Sequence, residues 1–291
     1  MVNSYIRSKI WATMITVTCM ILLAVGCNPT EVGEKSQEMQ QAPSIKMQAM
    51  GTADPSLEGG AENQNRVLQP MSNQLLQQRY PNVLLLHGTK LKNQVALTFD
   101  DGPDRRYTPM VLDVLNKYNV KATFFLVGAR VSALPEVTRR IARDGHAIGN
   151  HTYWHPALYK HSPDRLKWEV TQTDEIIQRT IGVRPKLFRA PYGGLNQEIV
   201  QQLKSEGYSV IGWDVDTLDW KQPGAAQIAD VVLAHIHPGA IILMHSAGHW
   251  TQNLSGTAEA LDTLIPELKR QGLQFVTIPQ MIQNSSMVAP K

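Results

Sequence analysis

Two adjacent carboxylates, Asp100 and Asp101, follow an apolar strand pattern at residues 95–99 and precede a Gly-Pro turn. Because side chains alternate along a strand, these neighbouring carboxylates point in different directions and can serve different purposes. One could bind a metal ion while the other accepts a proton. Asp, Gly and Pro also form ordinary turns, so the pair indicates chemistry only together with other reactive residues.

Reactive side chains also stand at the ends of four other apolar runs. Each has an ordinary explanation on its own: His245 as a core histidine, Arg189 as an ion-pair partner, and Tyr153 or Trp154 as core aromatics. Scattered surface charge, however, would not select the ends of strands in this way. The residues are His151 and His155, Arg189 and Tyr192, Asp214, Asp216, Asp219 and Trp220, and His245.

The types and spacing of these residues fit amide hydrolysis. Two histidines four residues apart, together with one carboxylate, make a set of three ligands. Catalytic zinc sites use three protein ligands and leave a fourth position for water. The metal ion lowers the pKa of that water and polarises a carbonyl group. A second carboxylate can then act as base, and a histidine from the opposite side can protonate the leaving amine.

The elements that must position these groups are short apolar runs alternating with amphipathic stretches from about residue 83 onward. Strand, helix and strand in repetition predict parallel strands with crossover helices. The sequence therefore predicts a single (β/α) barrel, in the form of a distorted seven-stranded (β/α)7 barrel, with an open doubly wound sheet as the alternative. Either fold places an active site at the carboxyl ends of the strands. The predicted strands are 95–99, 122–127, 146–149, 186–189, 209–214, 240–245 and 275–278.

Helix signals fall between these runs. Ser162 and Pro163 are typical of a helix start, and that helix is predicted to reach about residue 180. Asn196 begins another helix that Gly207 ends. A third runs from about residue 257 to Gly272.

The first 27 residues are predicted to be a signal peptide of the lipoprotein type. Arg7 and Lys9 precede an apolar run at residues 10–25, which is short of the roughly 20 residues that a membrane-spanning helix needs. Cys27 is the predicted lipidation site. Residues 28–82 are rich in polar residues and are predicted to be a disordered linker, apart from a weak helix at 72–79. The catalytic domain is then 83–291, with its motifs between residues 93 and 280.

Composition excludes several classes of function. The net charge of +3 falls to +1 without the two basic residues of the signal, so there is no electrostatic argument for nucleic-acid binding. The two cysteines, Cys19 and Cys27, both lie in the signal. The mature domain therefore has no disulfide, no thiolate metal site and no cysteine nucleophile.

Five ordered motifs make the chain resemble the polysaccharide deacetylases of the NodB-homology type, carbohydrate esterase family 4. The resemblance covers about residues 93 to 280, and five motifs in the same order are specific. The motifs are TFDDG at 98–102, HTYWH at 151–155, RAPYG at 189–193, DTLDW at 216–220 and LMH at 243–245.

This resemblance implies a role for each residue at the metal side of the site. Asp100 is the general base. Asp101, His151 and His155 hold a divalent metal ion, with Zn²⁺ expected and Co²⁺ or Ni²⁺ as alternatives. Arg189 pairs with Asp100 and keeps it ionised and oriented.

The resemblance also assigns the opposite side of the site. His245 is the general acid, tuned by a carboxylate that spacing places at Asp216. The backbone N–H of Tyr192 helps to bind the oxyanion. Trp220 and Leu243 line the pocket for the acetyl methyl group.

The function expected from the resemblance is metal-dependent removal of N-acetyl groups from GlcNAc or MurNAc residues of an extracellular polysaccharide, either peptidoglycan or a chitin-like polymer. Two alternatives stay open: hydrolysis of acetyl esters, as in xylan, and a catalytically silent lipoprotein that binds the cell wall. The expected partners are the glycan and, through a lipid anchor, the cell membrane, with no nucleic acid and no obligate protein partner. The protein is expected to be exported, to the outer face of the membrane or into the wall.

Overall fold

Nine β-strands, all paired in parallel, form the sheet at the centre of the described structure. The computed structural model describes Glu58 and residues 72–286. The strands are Leu84–Leu85 (β1), Gln94–Asp100 (β2), Thr123–Leu126 (β3), Ala147–Asn150 (β4), Leu187–Phe188 (β5), Ser209–Ile211 (β6), Val215–Asp216 (β7), Ile241–His245 (β8) and Gln274–Phe275 (β9).

The sheet curls into the predicted distorted (β/α) barrel. Its order is β1-β6-β5-β4-β3-β2-β8-β7, and β9 pairs with the start of β2. One chain segment supplies both β6 and β7, so it bridges the two edges of the sheet. At these edges the N–H of Gly212 donates to Leu85 O at 2.8 Å, and that of Asp214 donates to Ile241 O at 3.3 Å.

Each of the seven predicted strands overlaps a strand of the structure, but two of them differ clearly in extent and two further strands are present. The predicted strand at 209–214 ends at Ile211 as β6, because the chain leaves β1 there and joins β8 only at Val215, where β7 begins. The predicted strand at 275–278 is a strand only at Phe275, the end of β9, and Ile278 begins α9. The two additional strands, β1 and β7, have two residues each and are too short to show a periodic pattern in the sequence.

Helices follow most strands and pack around the barrel. The three predicted helices are present as α5, α6 and α8. Ser162 accepts the N–H of Arg165 at the start of α5, and Asn196 accepts the N–H of Ile199 at the start of α6, as their sequence signals predicted. The helices are Asn73–Arg79 (α1), Tyr107–Lys117 (α2), Gly128–Ala133 (α3), Pro135–Arg143 (α4), Pro163–Ile181 (α5), Gln197–Ser205 (α6), Ala225–His235 (α7), Ser255–Arg270 (α8) and Ile278–Ser286 (α9).

The largest apolar cluster lies between β2, β3 and β8 and the helices α2, α7 and α8. Phe99 and Phe124 stack there with ring centroids 5.1 Å apart. The alternation of β8 sends Ile242 and Met244 into this cluster. Leu243 and His245 therefore share the opposite face of that strand.

The folded region begins earlier than the predicted linker boundary at residue 82. Helix α1 is regular, and Leu76 on it is fully buried in a cluster with Leu84 and Val210. The side-chain amide of Asn73 also donates to Gly193 O at 3.1 Å. Residues 72–82 thus belong to the domain, because one apolar side chain of this polar stretch fills a position in the core.

The predicted signal peptide and Cys27 lie outside the described residues, as does most of the predicted linker. Glu58, within that linker, is described: its N–H donates to Trp154 O at 2.8 Å. In the part of the chain that the structure describes, no helix is both long enough and apolar enough to span a membrane.

Candidate active site

The two adjacent carboxylates lie at the carboxyl end of β2, where the chain turns sharply. Asp100 is the last residue of β2, and Asp101 has a left-handed backbone with φ of 68°. The guanidinium group of the buried Arg130 donates to the carbonyl oxygen of Asp101 at 2.9 Å. This turn separates the directions of the two side chains, as the alternation of the strand predicted.

The two histidines of the second motif follow β4 in a tight loop. Thr152 and His155 in this loop both have a left-handed backbone, with φ of 67° and 58°. These conformations cost energy for residues other than glycine, so the surroundings must stabilise them. They bring the rings of His151 and His155 to a centroid separation of 4.9 Å.

Asp101, His151 and His155 converge on one buried point. Oδ1 of Asp101 lies 3.3 Å from Nε2 of His151 and 3.1 Å from Nε2 of His155. All three side chains are buried, and their ligand atoms lie within 4.8 Å of one another. The structure thus brings together the three residues that the sequence predicted as metal ligands.

The hydrogen bonds of the two imidazoles fit a metal site. Nδ1 of His151 lies 2.8 Å from the carbonyl oxygen of Arg189, and Nδ1 of His155 lies 3.0 Å from the hydroxyl of Tyr192. Since a carbonyl oxygen only accepts, Nδ1 of His151 donates, and the neutral ring then presents a lone pair at Nε2. The Tyr192 hydroxyl itself donates to His155 O at 3.3 Å, so its oxygen is free to accept from Nδ1 of His155.

Two atoms of this cluster make no hydrogen bond within the described residues although they are buried: Oδ1 of Asp101 and Nε2 of His155. Burial raises the pKa of Asp101, but the nearby imidazoles of His155 and His151 outweigh burial and hold that pKa well below its ordinary value. Burial lowers the pKa of His151, yet Asp100 and Asp101 raise it above its ordinary value. The cluster therefore favours a positive charge at its centre, and its donor set fits a divalent metal ion.

Asp100 is held by a buried ion pair beside this cluster. Its Oδ1 lies 2.8 Å from Nη1 of Arg189, and its Oδ2 lies 3.8 Å from Nε2 of His151. The side chain of Arg189 is fully buried. The arginine thus fixes one oxygen of Asp100 and leaves the other directed toward the cluster.

Arg189 is itself fixed by further contacts. Its Nη1 donates to Oγ1 of Thr98 at 2.8 Å, and its Nε and Nη2 donate to the carbonyl oxygens of Ile211 and Gly212 at 3.1 and 2.9 Å. Its guanidinium carbon lies 4.2 Å from the ring centre of Phe125. A planar group with several fixed donors suits this position, and a lysine could not make the same contacts.

His245 occupies the end of β8, next to the carboxylates. Asp100 and His245 are paired across β2 and β8 in the register of the sheet. Nδ1 of His245 lies 2.7 Å from Oδ1 of Asp219. The backbone N–H of His245 and the hydroxyl of Thr257 donate to Oδ2 of the same carboxylate at 2.7 and 2.8 Å.

The prediction that Asp216 is the carboxylate partner of His245 is therefore wrong, and Asp219 takes that place. Asp216 ends β7 opposite Leu243, and its Oδ1 accepts the N–H of Leu218. Leu218 has φ of 56°, which turns the chain so that Asp219 reaches the end of β8. Burial raises the pKa of Asp219, but the charge and hydrogen bonds of His245 lower it below its ordinary value.

Three more predicted site residues lie close to these groups. Tyr192 is buried, has φ of 60° and contacts His155 through its hydroxyl. Leu243 is buried and lies two residues before His245 on the same face of β8. Trp220 directly follows Asp219, and its carbonyl oxygen accepts from the side chain of Gln252 at 2.9 Å. Their roles toward an oxyanion and an acetyl group stay predictions.

Asp214, the extra carboxylate of the fourth motif region, serves the fold. Its Oδ2 lies 2.8 Å from Nε2 of His237, and its Oδ1 accepts the N–H of Ile241 at 2.9 Å. It thereby ties the segment between β6 and β7 to the start of β8.

Comparisons with known proteins agree with this geometry. A family model described as polysaccharide deacetylase matches residues 87–211. A peptidoglycan-N-acetylglucosamine deacetylase of Bacillus cereus is 45% identical over 196 residues, which cover 67% of this chain and 70% of that protein. The crystal structure of the Bc1960 peptidoglycan N-acetylglucosamine deacetylase superposes with a TM-score of 0.68 at 42% identity, covering 71% of this chain and 96% of that one.

One similar structure is not that of an active enzyme. The wild-type BA3943 protein of Bacillus anthracis, described as a CE4 family pseudoenzyme, superposes with a TM-score of 0.64 at 34% identity, covering 69% of each chain. Overall similarity to these structures therefore does not decide activity, and the site residues must.

Proposed function

Because the chain belongs to the polysaccharide deacetylase family, we propose that it removes N-acetyl groups from GlcNAc or MurNAc residues of peptidoglycan or a chitin-like polymer. The observation that carries this proposal is the position of three buried groups at the carboxyl ends of the strands: the Asp101, His151 and His155 cluster, the Asp100–Arg189 pair and the His245–Asp219 pair. Together these groups supply metal ligands, a base and an acid.

Asp101, His151 and His155 would hold a divalent metal ion, which we propose to be Zn²⁺. Such an ion supplies Lewis-acid chemistry, in which it polarises a carbonyl group and lowers the pKa of a water molecule. The affinity order of divalent metals does not decide which ion a cell supplies, so Co²⁺ and Ni²⁺ are alternatives.

Asp100 would accept the proton of the attacking water. Its pairing with Arg189 fixes its orientation. His245 would give a proton from Nε2 to the leaving amine, since its Nδ1 is engaged by Asp219. The pairing of Asp100 and His245 across β2 and β8 supports these roles, because the two side chains end neighbouring strands and each has its own buried partner.

The experiment that tests this proposal measures acetate release from peptidoglycan, GlcNAc polymers and acetylxylan by the metal-loaded protein. Release from an N-acetylated polymer that stops on chelation, and returns when metal is added, supports the proposal. Release from acetylxylan alone would make the protein an esterase instead.

The second candidate is a catalytically silent wall-binding protein, which the similarity to a pseudoenzyme favours. Against it stands the complete set of ligands, base and acid in this chain. The same assay separates the two, because a silent protein would bind peptidoglycan and release no acetate with any added metal.

We also propose export of the protein and lipidation at Cys27. This rests on the basic and apolar pattern of residues 1–27 alone. Partition of the expressed protein into detergent, and its loss in a Cys27→Ala variant, would support the lipid anchor. Recovery of both forms in the aqueous phase would contradict it.

A further inference from the structure

The loop that carries the two histidines has no regular secondary structure of its own. At the start of α3, the N–H groups of Gly128 and Ala129 donate to loop carbonyl oxygens at 2.9 and 3.0 Å, but they leave the loop's own N–H groups to other acceptors. Thr152 and His155 in the loop are left-handed, yet Nε2 of His155 must keep its place beside Asp101. Two of its N–H groups are satisfied by side chains close in sequence: that of Thr152 by Oδ1 of Asn150 at 2.9 Å, and that of His155 by Oγ1 of Thr152 at 3.1 Å. The two N–H groups between them need another acceptor.

Glu169 supplies that acceptor from a different element, helix α5. One oxygen, Oε2, accepts the N–H of Tyr153 at 2.7 Å and that of Trp154 at 2.8 Å. Its other oxygen, Oε1, accepts from Nε and Nη2 of Arg165 at 2.7 and 2.6 Å. The side chain of Glu169 is fully buried.

We propose that Glu169 is a positioning residue for the metal-binding loop: it fixes the peptide groups between His151 and His155 and so sets where the two imidazoles point. This inference rests on the proposed metal site. A buried carboxylate is costly unless it is hydrogen-bonded, and the carboxylate of Glu169 makes its hydrogen bonds with the loop and with the arginine that orients it. Groups that orient metal ligands typically affect metal affinity by about 10- to 100-fold.

Arg165 has a second carboxylate partner, which provides a matched control. Its Nη2 lies 2.5 Å from Oε2 of Glu58, and among the described residues the hydrogen bond of Glu58 to the loop runs from its backbone N–H to Trp154 O. Glu58 and Glu169 thus share one arginine. Only the Glu169 carboxylate accepts from the loop.

The test measures Co²⁺ affinity, by calorimetry or by competition with a chelator, in the full chain without substrate. Glu169→Ala should weaken Co²⁺ binding by about 10- to 100-fold. Glu58→Ala should change it less than about threefold, because its side chain does not touch the loop. Leu166→Ala, a buried apolar truncation on the same helix, controls for lost stability and should keep wild-type affinity.

A second pair of variants covers the case in which Glu169→Ala does not fold. Glu169→Gln keeps one acceptor oxygen. When that oxygen faces the loop, the amide N–H₂ group faces the N–H donors of Arg165, and two sets of donors cannot hydrogen-bond to each other. Metal binding should weaken, and the added substitution Arg165→Met should restore it by removing the competing donors. The visible absorption of bound Co²⁺, which reports ligand geometry, should change in Glu169→Gln and return in the double variant.

Wild-type affinity in Glu169→Ala, or in Glu169→Gln if the alanine variant does not fold, would overturn this inference and leave the proposed function standing. Equal losses of Co²⁺ affinity in Glu169→Ala and Leu166→Ala would also overturn it, since both losses would then follow from a less stable fold rather than from the position of the loop. Absence of Co²⁺ binding by the unaltered protein would instead overturn the proposed metal site and this inference with it.

Discussion

Nδ1 of His245 lies 2.7 Å from Oδ1 of Asp219, and the other oxygen of that carboxylate accepts the backbone N–H of the same histidine. This double contact fixes both the ring and the strand end that carries it. A negative charge at this distance favours the imidazolium form. Asp219 therefore has the geometry to keep His245 protonated for its proposed task as acid.

Replacement of Asp219 by Asn should move the alkaline limb of the pH–rate profile to lower pH, because the charge that favours the imidazolium is lost. The rate of acetate release should also fall, by up to the roughly 10²- to 10⁴-fold that a positioned acid contributes. Asp216→Asn is the matched control, three residues away and bonded to the N–H of Leu218. An equal shift in both variants would contradict the assignment of Asp219.

Ionisation of the same carboxylate should make the stability of the protein depend on pH. The pKa of Asp219 in the folded protein is below its ordinary value of 3.8. Ionised Asp219 therefore stabilises the fold above about pH 4, and this contribution is lost as the pH falls through the folded-state pKa. The difference in free energy of unfolding between wild type and Asp219→Asn should shrink from pH 6 to pH 3 in urea titrations. A difference that stays constant with pH would show that ionisation of Asp219 is not the source of the stabilisation.

The two adjacent carboxylates should separate metal binding from turnover. Asp101→Asn should lower metal content after dialysis, because it removes the only charged ligand of the cluster. Asp100→Asn should keep near-normal metal content and lose turnover, because it removes only the base. Metal analysis of both purified variants, alongside acetate release, checks this. Equal loss of metal from both would mean that the two roles are wrongly assigned.

Arg189 should support stability as well as chemistry. Arg189→Met would leave Asp100 buried without its cation, a change that typically costs about 3–5 kcal/mol in the free energy of unfolding. Arg140→Met removes an arginine from a partly exposed pair with Asp113 and should cost less than about 1 kcal/mol. Chemical denaturation of the two variants measures this comparison. Similar losses in the free energy of unfolding would contradict the prediction that the buried Arg189–Asp100 pair matters more for stability than the partly exposed pair.

Helix α1 should be required for a stable domain. Leu76→Ala should destabilise the protein by about 2–5 kcal/mol, because that side chain is fully buried. Leu75→Ala, at the adjacent position with 45% of its surface exposed, should change stability by less than about 0.5 kcal/mol. A fragment that starts at residue 72 should unfold at higher temperature than one that starts at residue 81. Identical melting temperatures would place α1 outside the folded unit.

Sequence reasoning located the site because strands and their ends have strong local signals. Asp100 and His245 each end a buried apolar run, and parallel strands bring such ends to one edge. The histidine pair and Asp101 could be selected for the same reason. Their convergence on one point follows from the register of the sheet together with the left-handed turns beside them.

Three features could not be predicted from the sequence, and the first is the path of the chain after a strand ends. Asp216 and Asp219 are three residues apart, and only the turn at Leu218 decides which of them reaches His245. Leu76 is a single apolar side chain in a polar stretch, so no periodic pattern marks it as core. Glu169 lies within an amphipathic helix, where a carboxylate ordinarily indicates a solvent-facing position.

The left-handed residues have a consequence for attempts to engineer this protein. Asp101, Thr152, His155, Tyr192 and Leu218 occupy that region beside the reacting groups, whereas Asn119 and Gln222 occupy it elsewhere. Glycine would relieve about 1–3 kcal/mol of conformational energy at such a position. Glycine at Asp101 or His155 would remove a proposed metal ligand. At Thr152, the gain in heat tolerance would come with a more mobile metal-binding loop, so directed evolution toward thermostability should accept glycine at Gln222 and reject it at Thr152.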